Sequence, residues 1–259
     1  MTPAEILSSD LAEAAQELRD RDEPFAFATI VRTAGPTAAK PGAKALLSAD
    51  GTILQGWLGG GCTRGAVKRA AIQALRDGTP QLVSVSPEDL LAEKGVTAGQ
   101  EVDGTRFARN GCPSRGTVDI FIEPCLPLPQ LVVMGSSPVA QALSALAPQF
   151  HWSVTGTPKQ DKPHQQCFVV VATQGQGDLD ALKAALDAKT RYVAFVGSRR
   201  KYASLAEKLA AAGFDQSAID AVRAPAGLDL GAVTPEEIAL SILAQLVQDR
   251  RALVKQTDD

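Results

Sequence analysis

The sequence predicts an α/β protein in two parts. Residues 1–124 read as a mixed α/β domain, residues 125–130 as a proline-rich connection, and residues 131–259 as a doubly wound parallel sheet. Three observations lead there. In the first part strand-like runs dominate, with two amphipathic helices among them. At Pro124-Cys125-Leu126-Pro127-Leu128-Pro129, three prolines in six residues make a stiff segment that does not suit a strand. Beyond it, short buried strands alternate with helices, the pattern of a parallel sheet covered on both faces.

The elements follow in order. Ile6, Leu7, Leu11, Ala14, Ala15 and Leu18 line one side of a helix from Pro3 to Arg19. Phe25 to Val31 is a strand; Lys44 to Leu47 and Thr52 to Trp57 form a hairpin about Asp50-Gly51. Val67, Ala70, Ala71, Ala74 and Leu75 recur at helical spacing, and Gly78-Thr79-Pro80 stops that helix. Gln81 to Val85 and Thr117 to Ile122 are further strands, whereas 87–115 shows no clear period. In the second part, Leu131 to Met134, Trp152 to Thr155, Cys167 to Ala172 and Tyr192 to Val196 are strands. Helices are expected at Pro138 to Ala147, Leu179 to Ala188 and Arg199 to Ala212. Thr234-Pro235-Glu236-Glu237 opens the last one with a cap, a first-turn proline and a capping-box glutamate.

Composition narrows the function. With 45% hydrophobic and 21% charged residues the chain is an ordinary globular one, and its net charge of −3 offers no basic surface for nucleic acid. Its apolar runs are too short for a membrane, and Met1 to Asp10 lacks the pattern of a signal peptide, so a cytoplasmic location is expected. The four cysteines, Cys62, Cys112, Cys125 and Cys167, show no zinc-type spacing. The two histidines, His151 and His164, fall in polar, loop-like surroundings that suit solvent better than catalysis.

Gly59-Gly60-Gly61-Cys62 is the most informative run. Three glycines place bare backbone before a thiol at the start of a helix, where the dipole and unpaired N–H groups favour thiolate. The same glycines let a ligand approach the main chain; a plain turn before a structural cysteine is the competing reading. Asn110-Gly111-Cys112-Pro113-Ser114-Arg115-Gly116 is a second such turn, of interest if the fold brings Cys112 near Cys62. Arg32 and Lys44 are candidate contacts for an anion.

In the second part, Gly135-Ser136-Ser137-Pro138-Val139-Ala140 answers to the dinucleotide-binding (Rossmann) fingerprint G-x-G-x-x-G/A with Gly135 and Ala140. Ser137 stands where the central glycine would approach a pyrophosphate, and Ser153-Val154-Thr155-Gly156-Thr157 carries no ribose-binding acid. A Rossmann-like fold with little affinity for NAD(P) is the expectation, and an NAD(P)-dependent oxidoreductase is the alternative. Gly197-Ser198-Arg199-Arg200-Lys201 sets cations in a first helical turn, against the dipole. That conflict is relieved where a phosphate or pyrophosphate binds.

These pieces resemble the XdhC/CoxI family, accessory proteins of molybdenum hydroxylases such as xanthine dehydrogenase and carbon monoxide dehydrogenase. The residues carrying the resemblance begin with Gly35-Pro36, Pro41-Gly42-Ala43-Lys44, Asp50-Gly51 and Gly59-Gly60-Gly61-Cys62. They continue with Gly111 to Asp119, Glu123-Pro124, Gly197 to Lys201, Pro225 to Ala232, Thr234 to Ala239 and Ser241-Ile242. The resemblance implies a chaperone, not a catalyst in its own right, that binds the molybdenum cofactor in molybdopterin or dinucleotide form. Such a protein protects the cofactor, assists its sulfuration with a cysteine desulfurase, and inserts it into an apo molybdenum hydroxylase. It also implies a homodimer. On this reading Cys62 handles sulfur or touches molybdenum, with Gly59, Gly60, Gly61 and Cys112 beside it. Gly135, Ser136, Ser137, Gly197, Ser198, Arg199 and Arg200 take the anionic end. Two positions depart from the family pattern: Arg64 stands where a glutamate is usual, and Ala244-Gln245 stands where an Ala-Glu pair is usual.

Overall fold

The computed structural model describes residues 10–61, 63–113, 115–157, 166–190 and 192–255. The chain divides into two compact units, Met1–Pro127 and Leu128–Asp259. Among the described residues no helix is long and apolar enough to cross a membrane.

The first unit is a seven-stranded mixed sheet with helices on both faces. Its elements are α1 (Asp10–Asp20), β1 (Phe25–Ala34), β2 (Lys44–Ser48), β3 (Ile53–Gly56), α2 (Arg64–Asp77), β4 (Gln81–Ser86), α3 (Glu88–Glu93), β5 (Glu101–Val102), β6 (Thr105–Arg109) and β7 (Thr117–Cys125). The strand order is β3-β2-β1-β7-β4-β6-β5. All pairings are antiparallel except β4 with β6. Alternate residues Ala26, Ala28, Ile30 and Val118, Ile120, Ile122 point to one face, where Val67, Ala70, Ala71 and Ala74 of α2 cover them. On the other face Leu11, Ala15 and Leu18 of α1 pack on Phe25 and Leu46. The first helix is seen from Asp10 onward, and its expected start at Pro3 lies outside the described residues.

The hairpin and the helix stop take their expected form. Gly51 has φ +75°, and Asp50 accepts from the Thr52 amide at 3.2 Å, so the turn uses the one residue free of a β-carbon where φ is positive. Gly78 closes α2 with φ +71°. Pro124, expected to break the strand, instead continues it opposite Ala26. Pairing of β4 with β7 has ended at Ile122, so the missing N–H costs no ladder bond on that side. Cys125 still pairs with Phe25, and Gln130 already opens the next strand.

The second unit is a four-stranded parallel sheet, ordered β11-β10-β8-β9. It comprises β8 (Gln130–Met134), α4 (Pro138–Leu146), a 3₁₀ turn (Ala147–Phe150), β9 (Ser153–Thr155), β10 (Cys167–Val171), α5 (Asp178–Asp187), β11 (Tyr192–Phe195), α6 (Arg199–Ala211), α7 (Gln216–Asp220) and α8 (Pro235–Lys255). The period of two sorts the strand residues cleanly. Leu131, Val133, Phe168 and Val170 pack under α4 and α8, while Val132, Val169, Val171 and Phe195 pack under α5 and α6. This is the doubly wound, Rossmann-like arrangement. The chain leaves β8 through α4 toward β9, and leaves β10 through α5 toward β11, so the connections diverge at the crevice between β8 and β10.

Candidate functional site

In the first unit the motifs meet at one end of the sheet. The register sets the end of β1 (Ala34) against the start of β7 (Thr117), and the end of β4 (Ser86) against the end of β6 (Arg109). From that end spring the loop at 35–43, the glycine turn at 59–61 and the turn at 110–116. The loop holds both turns. A β-carbon on Gly59 would stand 3.1 Å from the Ala39 β-carbon, and one on Gly116 would stand 2.4 Å from the Pro36 carbonyl oxygen. Asn110 ties the second turn: its amide donates to Ser86 O at 2.7 Å, and its side chain donates to Gly116 O at 2.5 Å and accepts from Cys112 N at 2.9 Å.

The three glycines divide by role. Gly59 is buried, with φ +96°, and the fold requires it. Gly60 and Gly61 are exposed, and among the described residues beyond their chain neighbours no heavy atom lies within 4 Å of the place a β-carbon would take. Their bareness therefore serves no internal packing. Cys62 lies outside the described residues, so its relation to Cys112 stays an expectation. Thr63 spends its hydroxyl on Gly60 O at 3.1 Å and gives α2 no side-chain cap. Arg64, in the first turn of α2, is exposed and makes no ion pair among the described residues. Beside these residues, under the β2–β3 hairpin, lies a cavity of about 360 Å³.

Arg32 and Lys44 are already engaged. Arg32 donates to Asp119 at 2.6 Å, and Lys44 to the Thr29 hydroxyl at 2.9 Å.

In the second unit the fingerprint residues are used by the fold itself. Gly135 has φ +120°, and a β-carbon there would lie 2.5 Å from Ala172 O, so this glycine lets β8 run close past the end of β10. Ser137 is the N-cap of α4, its hydroxyl accepting from Ala140 N at 3.1 Å. The Ser136 carbonyl accepts from the Gln141 side chain at 3.1 Å. Ser198 caps α6 in the same way, from Lys201 N at 3.2 Å. Gly197 clears the Phe195 ring, which a β-carbon would approach to 2.4 Å.

Of the three cations expected to take an anion, Lys201 is otherwise occupied. It pairs with the buried Asp178, which also accepts from the Thr173 hydroxyl and from Gly175 N at 2.9 Å. Burial pushes the Asp178 carboxyl up, but the hydrogen bonds from Lys201, Thr173 and Gly175 outweigh it and hold the group below its usual value. Arg199 and Arg200 remain exposed and free of ion pairs among the described residues.

Arg199 lines an open groove of about 1020 Å³, with Gly197 and Ser198 beside it. The opposite wall is the segment 222–232, including Arg223 and Asp229. Residues of the motifs at 197–201 and 225–232 thus line one groove. A smaller cavity of about 300 Å³, lined by Ser137, Gln174, Val233 and Ile238, sits at the crevice end of the sheet.

Three hydrogen bonds hold this wall. Ala226 N donates to Phe195 O at 2.9 Å and Leu228 N to Ser241 O at 3.1 Å. Gln245 Oε1 accepts from Gly227 N at 3.0 Å. In the sequence Gln245 stood out as a departure from the family pattern, whose consequence no local pattern could show.

Two units, a Gly-rich turn at one sheet end and a groove lined by Arg199 and Arg223 on a Rossmann-like second unit define a class of two-domain α/β protein. Family models specify it further: residues 18–86 match the XdhC and CoxI family, and residues 131–246 match the XdhC Rossmann domain. Together they cover well over half of the chain, which belongs to the XdhC/CoxI family. A relative in Escherichia coli K12, the uncharacterized protein YqeB, is 27% identical over 266 residues, covering 90% of this chain. The chain spans only 45% of that relative's length. A crystal structure described as a xanthine dehydrogenase from Bacillus halodurans shares 20% identity, covering 93% of this chain and 95% of that one, at a TM-score of 0.41.

Proposed function

We propose that this protein is a maturation factor for a molybdenum hydroxylase, binding the molybdenum cofactor as cargo and handing it to the apo-enzyme in the cytoplasm. Membership of the XdhC/CoxI family points to molybdenum hydroxylase maturation in general. The finer reading is carried by one observation. Gly60 and Gly61 are exposed, no described residue beyond their chain neighbours needs the space of a β-carbon there, and they lead directly into Cys62. Main chain without side chains is what a ligand needs to approach closely.

On this reading Cys62 supplies the soft sulfur ligand or carries sulfur received from a cysteine desulfurase. The turn carrying Cys112 sits on the same loop and bounds the site. In the second unit, Arg199 and Arg200 take the phosphate or dinucleotide end of the cargo beside the groove. The active form is a homodimer. NAD(P) is not the ligand in this scheme, since Ser137 puts a side chain where the fingerprint has the glycine that admits a pyrophosphate.

The test is purification from a cell that makes molybdenum cofactor, with metal content and absorption spectrum measured on the protein as isolated. Stoichiometric molybdenum and pterin support the reading. Protein that carries neither, yet binds NADPH at micromolar concentration, replaces it with the oxidoreductase.

A further inference from the structure

We infer that the cavity under the β2–β3 hairpin receives a flat, anionic heteroaromatic ring, stacked on Trp57 and held at its charged edge by Arg64 and Lys68. The inference leans on the cofactor reading only for the source of that ring. Its volume, about 360 Å³, falls within the roughly 300–1,000 Å³ of small-molecule clefts. Ile53, Leu58 and Val67 give it apolar walls. Trp57 lines it while remaining 50% exposed, whereas the second tryptophan, Trp152, is 2% exposed in the core of the other unit. An indole left half in water beside an apolar cleft is a stacking surface still to be covered.

The cations are available. Arg64 has no ion pair among the described residues, and Lys68 stands 3.9 Å from Asp50 with both groups exposed. Asp50 is held in its own turn, accepting from Ser48 at 2.5 Å and from the Thr52 hydroxyl at 2.8 Å, and its pairing with Lys68 is long and exposed and therefore weak.

The cavity is also preformed. A β-carbon on Gly51 would meet Lys68 O at 2.8 Å, so the hairpin turn is pressed onto α2, and one on Gly56 would meet the Lys44 carbonyl oxygen, so β3 lies tight on β2. An apolar cleft with an aromatic wall and a cationic rim selects a planar ring bearing negative charge. A pterin and a nucleobase with its phosphate share that chemistry.

The experiment titrates the full-length protein with 6-carboxypterin, cytidine monophosphate or inorganic phosphate, following tryptophan fluorescence and heat. Saturable quenching by a ring-bearing anion is expected, kept in Trp152→Phe and lost in Trp57→Leu. Arg64→Ala combined with Lys68→Ala is expected to weaken binding at least about fivefold. Preference for the pterin names the pterin end of the cargo, and preference for the nucleotide names a dinucleotide end. Quenching that survives Trp57→Leu overturns the inference, as does binding by neither ring. So does concentration-dependent shielding of Trp57 from acrylamide, which would assign the surface to a second copy of the chain. Molybdenum cofactor that co-purifies while Trp57→Leu retains it sinks this inference and leaves the proposed function standing. Ring binding at Trp57 without activation of any client hydroxylase does the reverse.

Discussion

The Tyr192 hydroxyl donates to Gln245 Oε1 at 2.6 Å, and the same oxygen accepts from Gly227 N at 3.0 Å. One side chain of α8 thus joins the first residue of β11 to the wall of the groove in the second unit. The Tyr192 phenol is buried, which with the nearby Asp249 raises its pKa well above the ordinary value, so the donor stays protonated at any working pH. Gln245→Ala leaves two donors without their acceptor and is expected to cost about 1–3 kcal/mol. Hydrogen exchange should accelerate at Gly227, and urea melts of the full chain give the stability loss.

Gly227 permits no substitute. Its φ is +95°, and a β-carbon would stand 2.3 Å from Ser241 Oγ. Gly227→Ala is expected to destabilise by about 2–4 kcal/mol, through backbone strain and displacement of the loop from α8. An unchanged denaturation midpoint would show the loop to be loosely held.

The Asp178–Lys201 pair predicts a pH dependence. The folded-state pKa of Asp178 is lowered, so its contribution is present above the unfolded carboxylate pKa of about 3.9 and is lost as pH falls through the folded value. Asp178→Asn is expected to cost about 1–2 kcal/mol at pH 7, with Lys201 partly exposed and the pair screened. The gap between wild type and variant should narrow below about pH 4. Thermal melts between pH 2.5 and 7 measure it.

Arg199 and Arg200 separate binding from stability. Replacing both by alanine removes cations from a helix N-terminus, so the melting temperature should hold or rise slightly. Affinity for the anionic cargo should fall at least about tenfold, because each charge-assisted bond is worth about 1.5–3 kcal/mol. Early melting with normal binding would make the patch structural.

The thiols should sort by environment. Burial raises the pKa of Cys125 and of Cys167, so iodoacetamide near pH 7 should label both more slowly than Cys62. Cys62→Ser should cost under about 1 kcal/mol, because a turn position needs no large apolar group. The folded variant should nevertheless fail to activate its client hydroxylase, and Cys112→Ser should have the milder defect. Full client activation by Cys62→Ser would remove the thiol from the mechanism.

Local interactions carry most of what the sequence by itself determined. The capping box forms as read, with Glu237 accepting from Thr234 N at 3.0 Å and Thr234 Oγ1 accepting from Glu237 N at 3.3 Å. The Asp50-Gly51 turn, the Gly78 stop and the alternating strands and helices of the second unit are likewise written within a few residues of themselves. Segment 87–115 was illegible because β5 and β6 are short, lie at a sheet edge and carry Arg106 and Arg109 where a buried strand would carry apolar residues.

Only the tertiary structure decided which residues are free to act. Gly135, Ser137, Gly197 and Lys201 read as ligand contacts, yet the fold uses each of them: Gly135 clears Ala172 O, Ser137 caps α4, Gly197 clears the Phe195 ring two residues before it, and Lys201 pairs with Asp178. Gly60, Gly61, Arg199 and Arg200 read no differently, and the fold leaves them open. The physical reason is sequence distance. A helix cap is settled within one turn of chain, whereas close approach of two backbones is settled by the register of strands dozens of residues apart.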